Sequence, residues 1–288
     1  MKILLTGADG QLGHSIRKNP PTEGQLISLN SKEFDITDPV KMDEIFVKYK
    51  PDVVINAAAY TAVDKAEDEE QKARAVNALG VKRLSEKCRQ TGAFLIHVST
   101  DYVFDGKSHT PYSETDKINP INIYGKTKAE GEQAIIRSKA HFAILRTSWV
   151  FSEYGHNFFK TMIKIGADKK HLKVVSDQIG APTYGGDIAG ALSALILHRD
   201  KITGDIFHFC GDKITNWADF ARYIFNEAFE QGKLAHSVEV EDILSKDYKV
   251  AAKRPKNSVL DCKKINTLCD IQLSDWRGAV RKILSENY

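Results

Sequence analysis

Short apolar runs alternate with longer amphipathic stretches over the first 150 residues, and no other feature restricts the fold as tightly. The runs Lys2–Thr6, Gln25–Leu29, Val53–Ala58, Ala93–Ser99 and Phe142–Thr147 read as strands. The stretches Gln11–Lys18, Pro39–Tyr49, Glu70–Thr91 and Tyr124–Ser138 read as helices, and Asp38 before Pro39 supplies an N-cap followed by a first-turn proline. Strands joined through helices form a parallel sheet covered on both faces, with right-handed crossovers. The expected fold class is α/β, a doubly wound parallel sheet.

Beyond residue 150 the segments become shorter and less regular. Helices are expected at Asn157–Ala167, Asp187–Leu197, Trp217–Gly232 and Ser274–Ser285, and strands at Lys173–Ser176 and Asp205–Cys210. No repeat or Pro/Gly-rich linker divides the chain. Residues 1–150, completed by segments near 185–210, are expected to form the main domain. Residues 151–288 mainly form a smaller mixed α/β lobe, discontinuous and tightly packed on the first.

Composition narrows the function classes. A balance of 41 basic against 38 acidic side chains, with no Lys/Arg stripe, speaks against nucleic acid as a partner. Four cysteines without a CxxC pair or a histidine cluster argue against a zinc site and for buried thiols. No apolar run is long enough to span a membrane, and Met1–Gly7 reads as a strand rather than a leader, so the expected setting is the cytoplasm.

The first strand runs into Thr6-Gly7-Ala8-Asp9-Gly10-Gln11-Leu12-Gly13. Glycines spaced by three allow a sharp turn and close approach of a pyrophosphate to the N-terminus of the next helix. The spacing is GxxGxxG rather than GxGxxG; its position between strand and helix is what makes it a dinucleotide signal. The second strand ends in Asn30-Ser31-Lys32, where an acidic residue would favour NAD. A neutral-to-basic stretch tolerates a 2′-phosphate, so the expected cofactor is NADPH, with NADH still admissible. Asp35 and Ile36 are placed to flank the adenine.

Tyr124 and Lys128 are four residues apart and share a helix face. A phenol with a pKa of about 10 is acidified by a nearby ammonium and can hand a proton to a carbonyl oxygen as hydride arrives. Ser99-Thr100-Asp101 closes the Ala93–Ser99 strand, where ligands of open α/β sheets bind, and offers hydroxyls to the same oxygen. Asn56-Ala57-Ala58-Ala59-Tyr60-Thr61 ends its strand in the same way, and its small residues leave room for a cofactor.

Together these segments resemble the extended short-chain dehydrogenase/reductases. With Asp101–Gly106, Arg146-Thr147-Ser148-Trp149-Val150, Asp177–Thr183 and Arg254-Pro255-Lys256-Asn257-Ser258, they resemble the dTDP-4-dehydrorhamnose reductase family over nearly the whole chain. The resemblance implies a Rossmann-type cofactor domain and a nucleotide-sugar lobe. It implies cofactor contacts at Gly7, Gly10, Gln11, Leu12, Gly13, Asp35, Ile36, Ala57, Ala58, Ala59, Tyr60, Thr61, Tyr124 and Lys128. It makes Tyr124 the proton donor, with Lys128 and Thr100 completing the catalytic set, and hydride would pass to C4 of a dTDP-linked 4-keto-6-deoxy-L-sugar. Thr100, Asp101, Tyr102 and Trp149 would contact the sugar, and Arg254 its diphosphate.

Some relatives pair through a metal held by carboxylates. Here His14-Ser15 follows the glycine turn and Gly185-Gly186-Asp187 offers a single acid, which speaks against a metal-bridged dimer; a homodimer stays open and no metal ligand is assigned. Three alternatives share the scaffold. An epimerase or 4,6-dehydratase is one, although Tyr102 stands where dehydratases carry a Glu. A dinucleotide-binding regulatory subunit without turnover is the second, and a reductase of another nucleotide-linked sugar the third.

Overall fold

A computed structural model describes residues 1–288. The N-terminal half runs β1 (Lys2–Thr6), α1 (Gln11–Lys18), β2 (Gln25–Leu29), α2 (Pro39–Tyr49), β3 (Val53–Asn56), α3 (Val81–Thr91), β4 (Phe94–Thr100), α4 (Ile123–Ser138) and β5 (Phe142–Thr147). It continues through α5 (Phe158–Asp168), β6 (His171–Val175), α6 (Gly185–Leu197), β7 (Asp205–His208), α7 (Trp217–Glu230), β8 (Glu239–Ile243), α8 (Lys263–Cys269) and α9 (Trp276–Asn287). Six strands form one sheet in the order β7-β5-β4-β3-β1-β2, and every neighbouring pair is parallel. The winding direction reverses between β1 and β3, whose last residues, Thr6 and Asn56, lie side by side. Ligands of such sheets bind outside this switch point.

Alternation along the buried strands builds two cores. Ile3, Leu5, Val53, Ile55, Ile96 and Leu145 face α1 and α6 on one side of the sheet. Leu4, Val54, Leu95 and Ile144 face α2 and α3 on the other. With apolar side chains on both faces, the strands read as continuous hydrophobic runs. A third cluster lies in the C-terminal half, where α5, α7 and α9 pack around Phe151, Phe220 and Trp276 beside the parallel pair β6–β8. Side-chain caps fix the starts of the helices that carry most of this packing. Asp38 accepts from the N–H groups of Val40 and Lys41, Asn122 from Gly125, Asn157 from Lys160 and Asn216 from Asp219. No helix is long and apolar enough to cross a membrane.

The structure departs from the sequence reading at several points. β3 stops at Asn56 instead of Ala58, because the glycine turn passes directly over its end: a Cβ on Gly7 would lie 2.7 Å from Ala58 N. The stretch expected as one helix over 70–91 contains a π-helical turn at Ala75–Gly80, between Glu70–Arg74 and α3. β8 was not expected, since Glu239, Glu241 and Asp242 mask the two apolar positions Val240 and Ile243 that it pairs against β6. The short helix α8 has no capping side chain and escaped for that reason.

One buried ion pair crosses from α4 to the sheet. Arg146 donates to Glu132 through Nε (3.0 Å) and Nη2 (2.7 Å), and Ser99 Oγ donates to the same carboxylate at 2.5 Å. Removing one partner strands the other charge in a low-dielectric interior. Arg146→Met is expected to lower the unfolding free energy by about 3–5 kcal/mol in urea titration. The double variant with Glu132→Leu should recover much of that loss; an unchanged midpoint in the single variant would contradict the assignment.

Candidate active site

The turn between β1 and α1 is built to bring backbone close to a ligand. Gly7 has φ +70°, which favours glycine, and a Cβ on Gly13 would fall 2.2 Å from the Gly7 carbonyl oxygen. Gly10 is the N-cap of α1 and provides no capping side chain, so the first-turn N–H groups around Gln11, Leu12 and Gly13 stay open to an anion. A dinucleotide pyrophosphate fits this cradle. At the end of β2 the one acid, Glu33, is turned back to accept from Asn30 N at 2.9 Å, and Ser31 and Lys32 are exposed. Asp35 is exposed and accepts from the backbone and hydroxyl of Thr37. Ile36, expected beside the adenine, has its side chain buried against Gly80. Ala57, Ala58, Ala59 and Tyr60 are half-buried and Thr61 is exposed, forming a wall beyond β3.

Tyr124 stands on the first turn of α4, beside the end of β4. The ring keeps part of its surface accessible, packs edge-on against Tyr102 with centroids 5.9 Å apart, and has its hydroxyl by Thr100. Surrounding protein raises the phenol to about 12, with the Thr100 hydroxyl working in the opposite direction. Lys128, expected to acidify the phenol, sends its side-chain nitrogen to β4. Lys128, 2% exposed, donates to the Val98 carbonyl at 2.7 Å and lies 3.2 Å from His97 Nε2. Burial lowers its pKa to about 8, opposed by the charge of Glu132 one turn along. Thr100 Oγ1 donates to Asp101 Oδ1 at 2.8 Å and accepts from Tyr102 N. Burial lifts Asp101 to about 7, and its Oδ2 has no partner. Of the two hydroxyls at the end of β4, Ser99 points inward to Glu132 and Thr100 alone faces Tyr124.

A cavity of about 1630 Å³ lies between α5, β6, α7 and the segment 245–259, with Asp64 and Asp105 on its wall. Lys107, Lys246, Lys249, Lys253 and Lys256 line it, and none of them is in an ion pair with a carboxylate. Asp105 and Asp177, on the same wall, are occupied by internal hydrogen bonds. Two residues expected to meet the substrate are held by other side chains. Arg254 lines the cavity, but its guanidinium is clamped on Asp64 through Nη2 (2.6 Å) and Nη1 (3.1 Å), so it ties the C-terminal segment to the cofactor half. Trp149 does not line the cavity. Trp217 stacks on one face at 3.6 Å, and Gly180 packs so closely on the ring that a Cβ there would come within 2.4 Å. Trp149 is held at φ +47°, and Trp217 is the indole that reaches the cavity wall.

Residues 1–288 match the family model described as the RmlD substrate binding domain. The dTDP-4-dehydrorhamnose reductase of Aggregatibacter actinomycetemcomitans is 45% identical over 98% of each chain, and that of Salmonella typhimurium 38% identical over 100% of this chain and 98% of its own. The Bacillus anthracis dTDP-4-dehydrorhamnose reductase, solved in complex with NADP, superposes with a TM-score of 0.91 at 32% identity, covering 99% of both chains. The chain belongs to the dTDP-4-dehydrorhamnose reductase family.

This family consists of NAD(P)H-dependent oxidoreductases on a Rossmann-type sheet, the fold described above. Within this reductase family member, several buried polar residues that the sequence reading missed organise the site. Asn77, on the π-helical turn, clamps both backbone groups of Tyr60 (Oδ1 from Tyr60 N at 2.9 Å, Nδ2 to Tyr60 O at 3.0 Å) and reaches Thr127 on α4. A π-turn in a helix is often found at functional sites. The available signal was an amide inside the apolar run Ala75-Val76-Asn77-Ala78. His97, inside the apolar run of β4, gave the same kind of signal; Glu132, among Glu130, Gly131 and Gln133, gave none.

Lys128 carries a stability consequence. A lysine whose folded pKa lies below its unfolded value releases its proton first in the native state, so stability rises with pH between about 8 and about 10.5 and the full penalty applies below that window. In the ligand-free protein Lys128→Met is expected to relieve roughly 3 kcal/mol at neutral pH and far less above the window. Denaturant titrations of both proteins across that range measure it; a constant difference would mean that Lys128 is neutral throughout or titrates as a surface lysine.

Proposed function

We propose that this chain reduces the C4 ketone of dTDP-4-dehydro-L-rhamnose to dTDP-L-rhamnose, using NADPH and the proton of Tyr124. The observation that carries the reading is the meeting of Tyr124 and Thr100 at the carboxyl end of β4, in the sheet whose first strand runs into the glycine turn. The cofactor half comprises residues 1–150 with segments near 185–210, and the remainder mainly takes the nucleotide-sugar. A bound nicotinamide supplies the hydride.

The chain's own residues would do the rest. Gly7, Gly10, Gln11, Leu12 and Gly13 would hold the pyrophosphate on the α1 dipole. Ala57 to Thr61 would border the nicotinamide half, and Lys128 would meet its ribose. The exposed Ser31 and Lys32, with the Glu33 carboxylate engaged by Asn30 N, favour a 2′-phosphate and hence NADPH over NADH. The Thr100 hydroxyl would orient the ketone oxygen toward Tyr124. A phenol raised to about 12 keeps its proton at neutral pH until an alkoxide forms, which suits reduction better than the reverse reaction. Asp101 and Tyr102 would meet the sugar. The unpaired lysines of the cavity would face the diphosphate, with Arg254 contributing at its Asp64-bound edge. The buried thiols suit a cytoplasmic setting. Elimination is disfavoured, because Tyr102 replaces the Glu that would follow Asp101.

Tyr124→Phe keeps the ring and its packing but removes the proton. Turnover of dTDP-4-dehydro-L-rhamnose, followed by NADPH oxidation, is expected to fall about 10²–10⁴-fold, with NADPH affinity within about twofold of wild type. Undiminished turnover would remove Tyr124 from the chemistry, and no oxidation by the wild-type protein with either NADPH or NADH would favour a regulatory subunit.

A further inference from the structure

Four buried side chains from four elements form one hydrogen-bonded line beneath the proposed ribose site. Thr6 ends β1, Asn56 ends β3, His97 lies in β4 and Lys128 on α4. Thr6 Oγ1 accepts from Ala58 N at 3.3 Å and donates to Asn56 Oδ1 at 2.7 Å. The Asn56 amide nitrogen lies 2.9 Å from His97 Nδ1, and His97 Nε2 lies 3.2 Å from Lys128 Nζ. The mechanism above uses only the last member of this line.

The direction of each hydrogen bond follows from the one before it. The Thr6 hydroxyl has its proton free for Asn56, so the amide presents oxygen to Thr6 and NH₂ to the imidazole. His97 Nδ1 must then be the acceptor nitrogen. Full burial keeps the ring neutral, so its one proton sits on Nε2, aimed at Lys128. An amine can accept that proton in a hydrogen bond; an ammonium, with three donors and no lone pair, cannot. We propose that His97 is the positioning residue for Lys128: its tautomer, fixed by Asn56 and Thr6, presents Nε2–H to the lysine nitrogen and favours the amine over the ammonium.

The other charged groups near Lys128 are accounted for. On its own helix are Tyr124 and Glu132, and the Glu132 carboxylate is taken up by Arg146 of β5 and Ser99 of β4. Asp101 and Tyr102 follow β4 on the cleft side, and Asp101 bonds Thr100. From the packed helical segments, Glu67 accepts from Ile123 N and Arg74 pairs with Glu70 and Glu130. On α3, Lys87 pairs with Asp43, Lys82 with Glu86, and Arg83 donates to the Thr37 carbonyl. Only Val98 O and His97 are in hydrogen-bonding reach of the Lys128 nitrogen. The line also joins the residue preceding Gly7 to the lysine, so the floor of the glycine turn and the charge of Lys128 are one connected unit.

The test uses the full chain without ligands. Nitrogen-15 NMR of wild type is expected to show His97 neutral, with its proton on Nε2, at a pH where Lys128 is an amine; a proton on Nδ1 there would overturn the proposal. Thr6→Val removes the hydroxyl that orients Asn56, letting the amide turn, Nδ1 take the proton and Nε2 accept from an ammonium. The Lys128 titration midpoint, read from its ¹³Cε shift, should then rise by roughly 0.5–1 pH unit, and Thr6→Ser should restore it. An unmoved midpoint in folded Thr6→Val would overturn the proposal. The inference builds on the reductase reading only for its effect on turnover. If the wild-type chain fails to oxidise NADPH while the midpoint still follows Thr6, the reductase reading fails and this one stands.

Discussion

Burying a lysine at the bottom of a cleft sets the terms for the rest of this structure. The Lys128 nitrogen is fastened to the Val98 carbonyl inside β4, 2.7 Å away, rather than to a carboxylate. A buried charge with no direct counter-ion is costly, and the surroundings answer with a ring of matched groups one layer out. Glu132 lies a helical turn along, with its carboxylate held by Arg146 and Ser99. His208 continues the line from Arg146 to the Tyr112 carbonyl. The same helix presents Tyr124 to the end of β4. Position of the phenol and burial of the amine are therefore both set by one helix packed on one strand.

Much of the fold was legible because the sheet is parallel and buried. Ile3-Leu4-Leu5, Val53-Val54-Ile55 and Leu95-Ile96 cannot be anything but strands between amphipathic helices, and Asp38 with Pro39 marks a helix start without ambiguity. The glycine turn was legible for a steric reason, since Gly7 and Gly13 sit where no Cβ fits. What stayed hidden depends on contacts distant in sequence. Arg254 looks like a free phosphate ligand until Asp64, 190 residues away, is found in its grip. Trp149 looks like a sugar platform until Trp217 is found stacked on it. The Tyr–Lys spacing correctly places two side chains on one helix, yet spacing alone does not reveal that the lysine nitrogen lies against His97 and Val98 while burial drives the phenol upward.

The C-terminal half supplies reach rather than chemistry. Strand β6 and helices α5 and α7 wall a cavity in which five lysines are unpaired while Asp64, Asp105 and Asp177 are already engaged. That imbalance favours an anionic ligand, and the Asp64–Arg254 clamp fixes the cavity against the cofactor half. A ligand anchored by its diphosphate there would present its far end to Tyr124, so binding energy collected away from the reacting carbon serves orientation.

The central claim is that hydride reaches one carbon, the C4 ketone, while Tyr124 protonates its oxygen. The most direct measurement is turnover of dTDP-4-dehydro-L-rhamnose with NADPH deuterated at the transferable position, followed by NMR of the product sugar. The account predicts one deuterium, at C4 and in a single configuration. Deuterium at another ring carbon, in both configurations at C4, or absent from a product that has nonetheless formed would contradict it.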